Sequence, residues 1–216
     1  MFHNGQMSGA EPTTPSPRLG TALSRQAAVD AATRLYLAGE PVDMSALATE
    51  LGIGRSTLYR LVGNREDLLA TVLADATERT FRRTVADMAA EAGPDAEPPG
   101  GADYILKVMD RFLNAVVDAK PLQAVSHREP LLIVRLMLLP GLVEQTAGRL
   151  VGELLDAEVA AGKMELPLPT ATFGLALIRM CDAHLYAPLL GGGAPEIGTA
   201  LDLVAALLGH SRPDEG

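Results

Sequence analysis

Apolar residues recur at every third or fourth position along most of the chain, which is the spacing of one face of an α-helix. No segment alternates apolar and polar residues as a half-buried strand would. In the first periodic run, one face carries Ala28, Ala31, Ala32, Leu35 and Tyr36. The run starts near Leu23 and ends at Gly39 and Pro41, residue types that stop helices, so it predicts the first helix.

Two short helices and one long helix are predicted next. Asp43 is a suitable N-cap for a helix that stops at Gly52. After a tight turn at residues 53–54, a third short helix is predicted from Arg55 to Leu61 or Val62. A much longer fourth helix begins at Arg65, and its apolar stripe consists of Leu68, Leu69, Val72, Leu73 and Ala76.

Proline and glycine mark the boundaries between the expected domains. Residues 1–20 are rich in Pro, Gly, Ser and Thr and lack an apolar period, which predicts a flexible arm. The segment 89–101 (AAEAGPDAEPPGG) is predicted to be a linker that ends the long helix. The expected units are an N-terminal three-helix domain at 21–65, a connecting helix at 66–88, a C-terminal domain at 102–210 and a tail at 211–216. Within the C-terminal domain, helices are expected at about 102–118, 121–128, 130–139, 142–162, 169–190 and 195–209.

Composition supports an all-α fold. The 216 residues are 48% hydrophobic but only 4% aromatic, so helix formers such as Ala and Leu must supply the core.

The one cysteine, Cys181, cannot form an intrachain disulfide or a zinc cluster, which favours a reducing cytoplasm. No signal-peptide pattern is visible, and the apolar stretch Leu131–Leu139 is far shorter than the roughly 20 residues of a membrane helix. We therefore expect a cytoplasmic protein that uses no metal or cofactor and does not enter a membrane.

The formal net charge of −9 is unevenly distributed along the chain. Residues 18–83 hold nine Arg against eight acidic residues (+1), and the remainder holds nine basic against nineteen acidic residues (−10). A chain that keeps its excess of acid away from one end can present that end to phosphates. The distribution argues against a non-regulatory, nucleoid-type DNA binder, which would be basic over its whole surface.

Residues 43–68 (DMSALATELGIGRSTLYRLVGNREDL) have the layout of a helix-turn-helix, whose second helix lies in the major groove of DNA. Ala48 is small where the two short helices would pack closely, and a miniature core is available from Leu47, Leu51, Ile53 and Leu58. Side chains that can reach phosphates and base edges remain on the second helix: Arg55, Ser56, Thr57, Tyr59 and Arg60. The alternative is a plain packing unit of a helical bundle, with Tyr59 as a buried core aromatic.

The stretch from about Ser24 to Ala74 resembles the DNA-binding domain of the TetR/AcrR family of transcriptional regulators. The matching elements are the Ala-rich first helix ending in Leu35-Tyr36 and Gly39, then Leu47-Ala48, Gly52-Ile53, Thr57-Leu58-Tyr59 and the run 63–68 (GNREDL). A composite spread over about 50 residues is far more specific than a lone helix-turn-helix pattern. Two places depart from the family pattern: Gly54 replaces a Ser or Thr cap, and Leu61-Val62 replaces an aromatic pair.

The resemblance implies roles for individual residues. The second short helix would touch the DNA backbone through Thr57 and Tyr59 and base edges through Arg55 and Ser56. Arg65 would hold a phosphate where the family usually has Lys, with a solvated surface arginine as the alternative. Arg25, near the start of the first helix, would also hold a phosphate.

The resemblance further implies a homodimer formed by the last two long helices, predicted here at 169–190 and 195–209. Apolar stripes on these helices supply the candidate interface residues Phe173, Leu177, Cys181, Leu201, Val204 and Leu208. The alternative is that these stripes face the core of the single chain.

The C-terminal domain of such a regulator would bind a small effector, in a pocket that combines apolar side chains with a few polar groups. The candidate pocket residues are the apolar Val108, Met109 and Phe112 and the polar Tyr104, His127, Arg135, Arg179 and His184. Arg135 interrupts an apolar helix, and a buried guanidinium needs either an ion pair, here with Glu129 or Asp110, or a ligand. The supply of Leu, Met and Val favours a largely apolar effector.

An enzyme is the alternative class of protein, because Cys181, Asp182 and His184 lie close together in the sequence. Adjacent helix positions diverge by about 100°, and no phosphate loop, nucleophile elbow or paired-His metal motif accompanies these residues. We therefore expect a regulator, most simply a repressor that leaves a pseudo-palindromic operator in double-stranded DNA when the effector shifts the fourth helix. Activation in place of repression stays open.

Overall fold

The structure is a computed structural model that describes residues 17–92 and 100–210, with side chains from residue 25 onward in the first range. All regular structure in these two ranges is helical, which confirms the all-α fold class. The expected arm at 1–16, the tail at 211–216 and linker residues 93–99 lie outside the described residues.

In the N-terminal half, residues 17–92 form four helices: α1 (Pro17–Leu37), α2 (Met44–Glu50), α3 (Arg55–Val62) and α4 (Arg65–Ala92). Because α1 begins at Pro17, the prediction of a flexible arm is wrong for residues 17–20. Proline suits the first turn of a helix, where its missing N–H would have no helical partner. The α4 helix also runs past its expected end at residue 88, since three of the next four residues are alanines, the strongest helix formers.

Six helices form the C-terminal half: α5 (Gly101–Val117), α6 (Lys120–Arg128), α7 (Pro130–Leu138), α8 (Leu142–Ala160), α9 (Thr170–Leu185) and α10 (Ile197–Leu207). The prediction of one helix over 169–190 is wrong at its end, because α9 stops at Leu185 and a 3₁₀ turn follows at Ala187–Leu190. Pro188 explains this change, since proline cannot donate the backbone hydrogen bond that would continue an α-helix.

The first three helices and the start of α4 enclose a small apolar core. Alanines of α1, among them Ala28 and Ala32, are fully buried and let the other helices approach closely. Leu47 of α2 and Leu58 of α3 fill the space between them, so the two short helices are held at a fixed angle.

Glycines allow very close packing between α8 and α9 in the C-terminal half. A Cβ atom at Gly174 would lie 2.6 Å from the backbone N of Gly152 and 2.7 Å from the carbonyl O of Gly148. No side chain fits at such distances, so Gly174 is required for this pair of helices to touch along their backbones.

Ion pairs join the two halves where α6 and α7 meet the start of α4. Glu129, the residue between α6 and α7, accepts two hydrogen bonds from the guanidinium of Arg65, at 2.6 and 2.7 Å. Beside it, Arg128 donates to the backbone carbonyl of Gly39, just after α1. The α6–α7 corner is thus fastened to the N-terminal domain at two points.

The expected dimer residues lie in the core of the single chain. Phe173, Leu177, Cys181, Leu201 and Val204 are at most 5% exposed, and Leu208 is partly buried against the same core. They pack between α9, α10 and the rest of the C-terminal half, so within the single chain these stripes face the core, as in the alternative interpretation.

Across the described residues, no single helix is both long and apolar enough to cross a membrane. The bent pair of α7 and α8, which meet at 44°, reaches the required length and hydropathy only when taken together.

Candidate nucleic-acid interface and effector cavity

The α2–turn–α3 unit is fixed by local hydrogen bonds and one special backbone conformation. The Asp43 carboxylate caps α2, accepting from the backbone N–H groups of Ser45 at 2.9 Å and Ala46 at 2.7 Å. The chain then turns at Gly52, whose φ of 65° lies in the left-handed region that favours glycine. The expected N-cap and turn are therefore both confirmed.

The outer face of α3 presents polar side chains to solvent. Arg55, Ser56, Tyr59 and Arg60 are exposed and Thr57 is half-buried, while Leu58 and Val62 face the core. Tyr59 is 48% exposed, which excludes the alternative that it is a buried core aromatic. An exposed aromatic between two arginines is costly for a helix that only packs, and it suits a surface that meets another molecule.

Arg55 is tied back to α2 at the start of this face. Its guanidinium donates to the hydroxyl of Ser45 at 3.0 Å. Arg25 is an exposed residue of α1, and its contact with a phosphate stays a prediction.

Arg65 is a half-buried residue with partners inside the protein, not a solvated surface arginine. Besides its two bonds to Glu129, its Nε donates to the carbonyl of Val42 at 2.7 Å. The hydrogen bonds from Arg65 hold the pKa of Glu129 below its usual range. Contact between Arg65 and a phosphate stays a prediction, and it would compete with Glu129 for the same N–H groups.

The prediction for Arg135 is wrong in its environment and in its partner. Arg135 is exposed, not buried on its helix, and it pairs with Glu66 of α4 at 3.1 Å. Neither Glu129, which binds Arg65, nor Asp110 is its partner. Because α7 is half-exposed at this position, the guanidinium needs no buried ligand.

The other candidate ligand residues are scattered through the C-terminal half. Val108, Met109 and Phe112 are buried in the core, and Tyr104 is a half-buried residue of α5. Arg179 donates to the buried Glu144 at 2.6 Å, and His184 Nδ1 lies 3.0 Å from a Glu196 carboxylate oxygen. His127 is exposed, and its Nδ1 lies 3.0 Å from the carbonyl O of Gln123.

A cavity of about 460 Å³ lies between the ends of α5 and α9, the α6 helix and the 3₁₀ turn. Its volume and its mainly apolar walls are those of a small-molecule site. The lining residues include Val117, Leu122, Gln123, Ser126, His127 and Leu189. We call it the outer cavity; of the eight candidate ligand residues, His127 lines it.

A smaller space of about 20 Å³, the inner cleft, shares three of its lining residues with the outer cavity: Val116, Leu185 and Tyr186. Phe112 is the candidate ligand residue that lines this cleft. Thr77, Glu144 and Asp182 bring polar groups to its wall. The inner cleft is therefore a second, smaller space that combines apolar side chains with a few polar groups.

Burial shifts the protonation of the groups at the inner cleft. It raises the pKa of the Asp182 carboxyl to about 8, and the nearby Glu144 carboxylate raises it further in the same direction. Burial also raises the pKa of the Tyr186 phenol, with contributions from Asp182 and from Tyr36 of α1. At neutral pH both groups carry their protons.

Sequence reasoning missed Tyr186 and Gln123 as cavity residues. No periodic signal marks them, because their position depends on how α5, α6 and α9 converge. The change of helix type at Pro188, visible as a proline in an apolar run, was the one signal that could have located the cavity.

The enzyme alternative finds no support in the geometry around Cys181. Its thiol is fully buried, and burial raises its pKa to about 12, whereas a nucleophilic cysteine needs a lowered value. Among the described residues, no three His, Cys, Asp or Glu side chains are grouped to hold a metal ion.

Comparisons with known proteins match the C-terminal half alone in one case and nearly the whole chain in another. The family model described as the tetracyclin repressor-like C-terminal domain matches residues 100–209. The structure of the R. erythropolis transcriptional repressor QsdR, described as from the TetR family, is 45% identical, covers 91% of this chain and 100% of its own, and has a TM-score of 0.84. Among the curated proteins, none matches this chain.

Two further solved structures are more distant. The fatty acid degradation regulator FadR from Bacillus halodurans is 16% identical, with 91% of this chain and 96% of that chain covered and a TM-score of 0.48. FadR from Bacillus subtilis, in complex with stearoyl-CoA, is 13% identical, with 84% and 98% covered and a TM-score of 0.48. At these identities and TM-scores, neither structure supports a statement about the function of this chain.

Proposed function

Because this chain belongs to the TetR family of transcriptional regulators, we propose that it is a repressor whose α3 helix reads a pseudo-palindromic operator and whose cavity binds the effector that releases it. The observation that carries this proposal is the exposed face of α3, with Tyr59 between Arg55, Ser56 and Arg60. A helix held by a buried Leu58 and open on its other side can lie in the major groove without unfolding its domain.

The proposed contacts divide by type. Arg55 and Ser56, at the first turn of α3, would meet base edges, and Thr57, Tyr59 and Arg60 would meet phosphates. The hydrogen bond from Arg55 to Ser45 limits the rotamers of Arg55, so part of its ordering cost is met before DNA arrives.

The proposed dimer uses the outer faces of α9 and α10, not their buried stripes. These faces carry small and apolar side chains that are exposed or half-exposed in the single chain: Thr172, Ala176, Met180, Ala183, Leu203, Ala206 and Leu207. Leu203 and Leu207 are 40% and 50% exposed, an unusual loss of burial for two leucines one turn apart. Two such faces packed about a two-fold axis would form a four-helix core.

The dimer proposal is tested by charge substitution on this face. Leu207→Glu should convert the dimer to a monomer in light scattering after size exclusion, because two copies of the charge would meet at the axis. Leu131→Glu is the matched control, since Leu131 is 73% exposed and lies on α7. A dimer that survives Leu203→Glu and Leu207→Glu together would rule out this face.

The α6–α7 corner provides a physical link between the cavity and the DNA-binding helices. Gln123, Ser126 and His127 of α6 line the outer cavity, and the next two residues, Arg128 and Glu129, bind Gly39 and Arg65. A ligand that displaces α6 would therefore pull on the end of α1 and the start of α4. The separation of the two recognition helices in the dimer would change as a result.

The central experiment is selection of bound sequences from a random DNA duplex pool, repeated at two salt concentrations. An enriched inverted repeat with half-sites about one helical turn apart, or a multiple of it, is expected. Tyr59→Ala and Arg55→Ala should each weaken binding to the selected duplex by about ten- to hundredfold, whereas Arg149→Ala, on α8, should not. Absence of any enrichment would overturn the proposal.

A further inference from the structure

The Tyr186 hydroxyl is a buried polar group that the protein itself leaves unsatisfied. Within the described residues it is the one buried side-chain oxygen or nitrogen without a hydrogen-bond partner. Leaving a buried hydroxyl unpaired costs about 1–3 kcal/mol. Tyr186 lines both the outer cavity and the inner cleft.

The groups around Tyr186 are acids, not bases. Asp182 lies one helical turn before Tyr186, and Glu144 of α8 lines the same inner cleft. Glu144 is already paired with Arg179, which lies on the exposed face of α9. Across the described ranges, Asp182 forms no ion pair with a basic side chain.

We propose that the effector is an uncharged molecule whose apolar body fills the outer cavity and whose carbonyl-type oxygen accepts a hydrogen bond from the Tyr186 hydroxyl at the inner cleft. The regulatory role of this ligand rests on the proposed function, whereas its binding site and its chemical class do not.

The geometry of the two spaces sets the shape of this ligand. The inner cleft, at about 20 Å³, has room for a single oxygen-sized group, and the outer cavity, at about 460 Å³, has room for a chain or small ring system. Apolar side chains from α5, α6 and the 3₁₀ turn line most of the larger space, and Gln123, Ser126 and His127 line the rest. The ligand group that meets Tyr186 must be small, because the inner cleft has little room.

Charge sets the choice between a neutral and an ionised polar group. A carboxylate placed at Tyr186 would lie near the Glu144 carboxylate, in a buried space where a negative charge is poorly solvated and like charges repel strongly. An ester, amide or ketone oxygen can accept the phenol proton without adding charge. Because the Asp182 carboxyl holds its proton at neutral pH, it can serve as a second donor to the same oxygen.

Two probes of equal chain length test this assignment on the full-length protein without DNA: N-methyloctanamide, which is neutral, and octanoate, which is an anion. Titration calorimetry at pH 7 should show the amide binding at least tenfold more tightly than octanoate. Tyr186→Phe should weaken amide binding by about tenfold, the effect of losing one buried hydrogen bond. Thr80→Val, which removes a hydroxyl from a half-buried residue of α4 that lines neither space, should leave it unchanged.

The stability of Tyr186→Phe supplies a second readout. Because the hydroxyl has no partner within the protein, its removal should leave the melting temperature equal or higher. A marked fall would mean that the hydroxyl is bonded internally, and it would overturn the assignment.

Three binding outcomes would also overturn it. In the first, octanoate binds as tightly as the amide. In the second, Tyr186→Phe binds the amide as the wild type does, which would leave the inner cleft to a water molecule. In the third, neither probe binds at concentrations up to about 1 mM, which corresponds to a binding free energy of roughly −4 kcal/mol. The operator selection uses no ligand, so each of these results leaves the proposed DNA-binding function standing. Selective amide binding without an enriched operator would instead preserve the site and remove the regulatory role.

Discussion

Asp182 should make the folding stability of this protein fall as the pH rises through the neutral range. Burial raises the pKa of its carboxyl to about 8 in the folded protein, from 3.8 when it is exposed. Between these values the folded chain holds a proton that the unfolded chain releases. The resulting stabilisation is fully present below about pH 4 and is lost as the pH rises to about 8.

The two pKa values of Asp182 set the size of the effect. Each pH unit in this window changes the free energy of unfolding by up to about 1.4 kcal/mol. The loss levels off as the folded protein itself begins to ionise near pH 8, so the fall between pH 6 and pH 8 is about 2 kcal/mol. For a chain of this length, that corresponds to roughly 4–8 °C in melting temperature.

Urea denaturation at pH 6 and pH 8, followed by circular dichroism, measures this difference. Asp182→Asn keeps the size and hydrogen-bonding groups of the side chain but cannot ionise, so it should remove about 2 kcal/mol of the pH dependence. Comparison with the wild type cancels the contributions of all other titratable groups. Asp87→Asn, at an exposed position of α4, is the matched control and should keep the wild-type pH dependence.

The reasoning would be refuted if Asp182→Asn and the wild type lost the same stability between pH 6 and pH 8. Equal losses would show instead that the Asp182 carboxyl is already ionised at pH 6 in the folded protein.

Three further predictions concern other parts of the molecule. Gly174→Ala should destabilise the protein by about 1–3 kcal/mol in urea denaturation, since its Cβ would meet backbone atoms of α8, whereas Gly198→Ala has open space and should lose nothing; equal effects would contradict the close packing of α8 and α9. Cys181 should react with a thiol reagent such as Ellman's reagent only on unfolding, and labelling of the native protein within minutes would disprove its burial. Glu129→Gln should free Arg65 for a phosphate, which would steepen the salt dependence of operator binding by about one unit of log–log slope; an unchanged slope would show that Arg65 stays inside the protein.

The local signals were sufficient for the helix-turn-helix. Asp43 as an N-cap, Gly52 at the turn and the alternation of buried Leu58 with exposed neighbours depend on residues within one or two helical turns, and all three appear in the structure as predicted. The same holds for most helix ends in the C-terminal half. The end of α9 is the exception. The apolar period continues through Pro188, but the α-helical hydrogen bonding of the backbone ends before it.

Charged residues were the least predictable, because their partners are distant in the sequence. Arg65 and Glu129 are 64 positions apart and Arg135 and Glu66 are 69 apart, so nothing local distinguishes these pairs from the rejected pair of Arg135 with Glu129. The apolar stripe that includes Leu177 was equally ambiguous, since one helix face can pack within a chain or between chains.

By itself the sequence determined the helices, the family and the face of α3 that is left for DNA, since capping, periodicity and turn chemistry act over a few residues. Only the tertiary structure decided which apolar stripe is core, which arginine is held by a carboxylate, and that Tyr186 lines both the cavity beside α6 and the cleft beside Asp182. These facts depend on how distant helices converge, and that convergence is set by packing of the whole chain rather than by any segment of it.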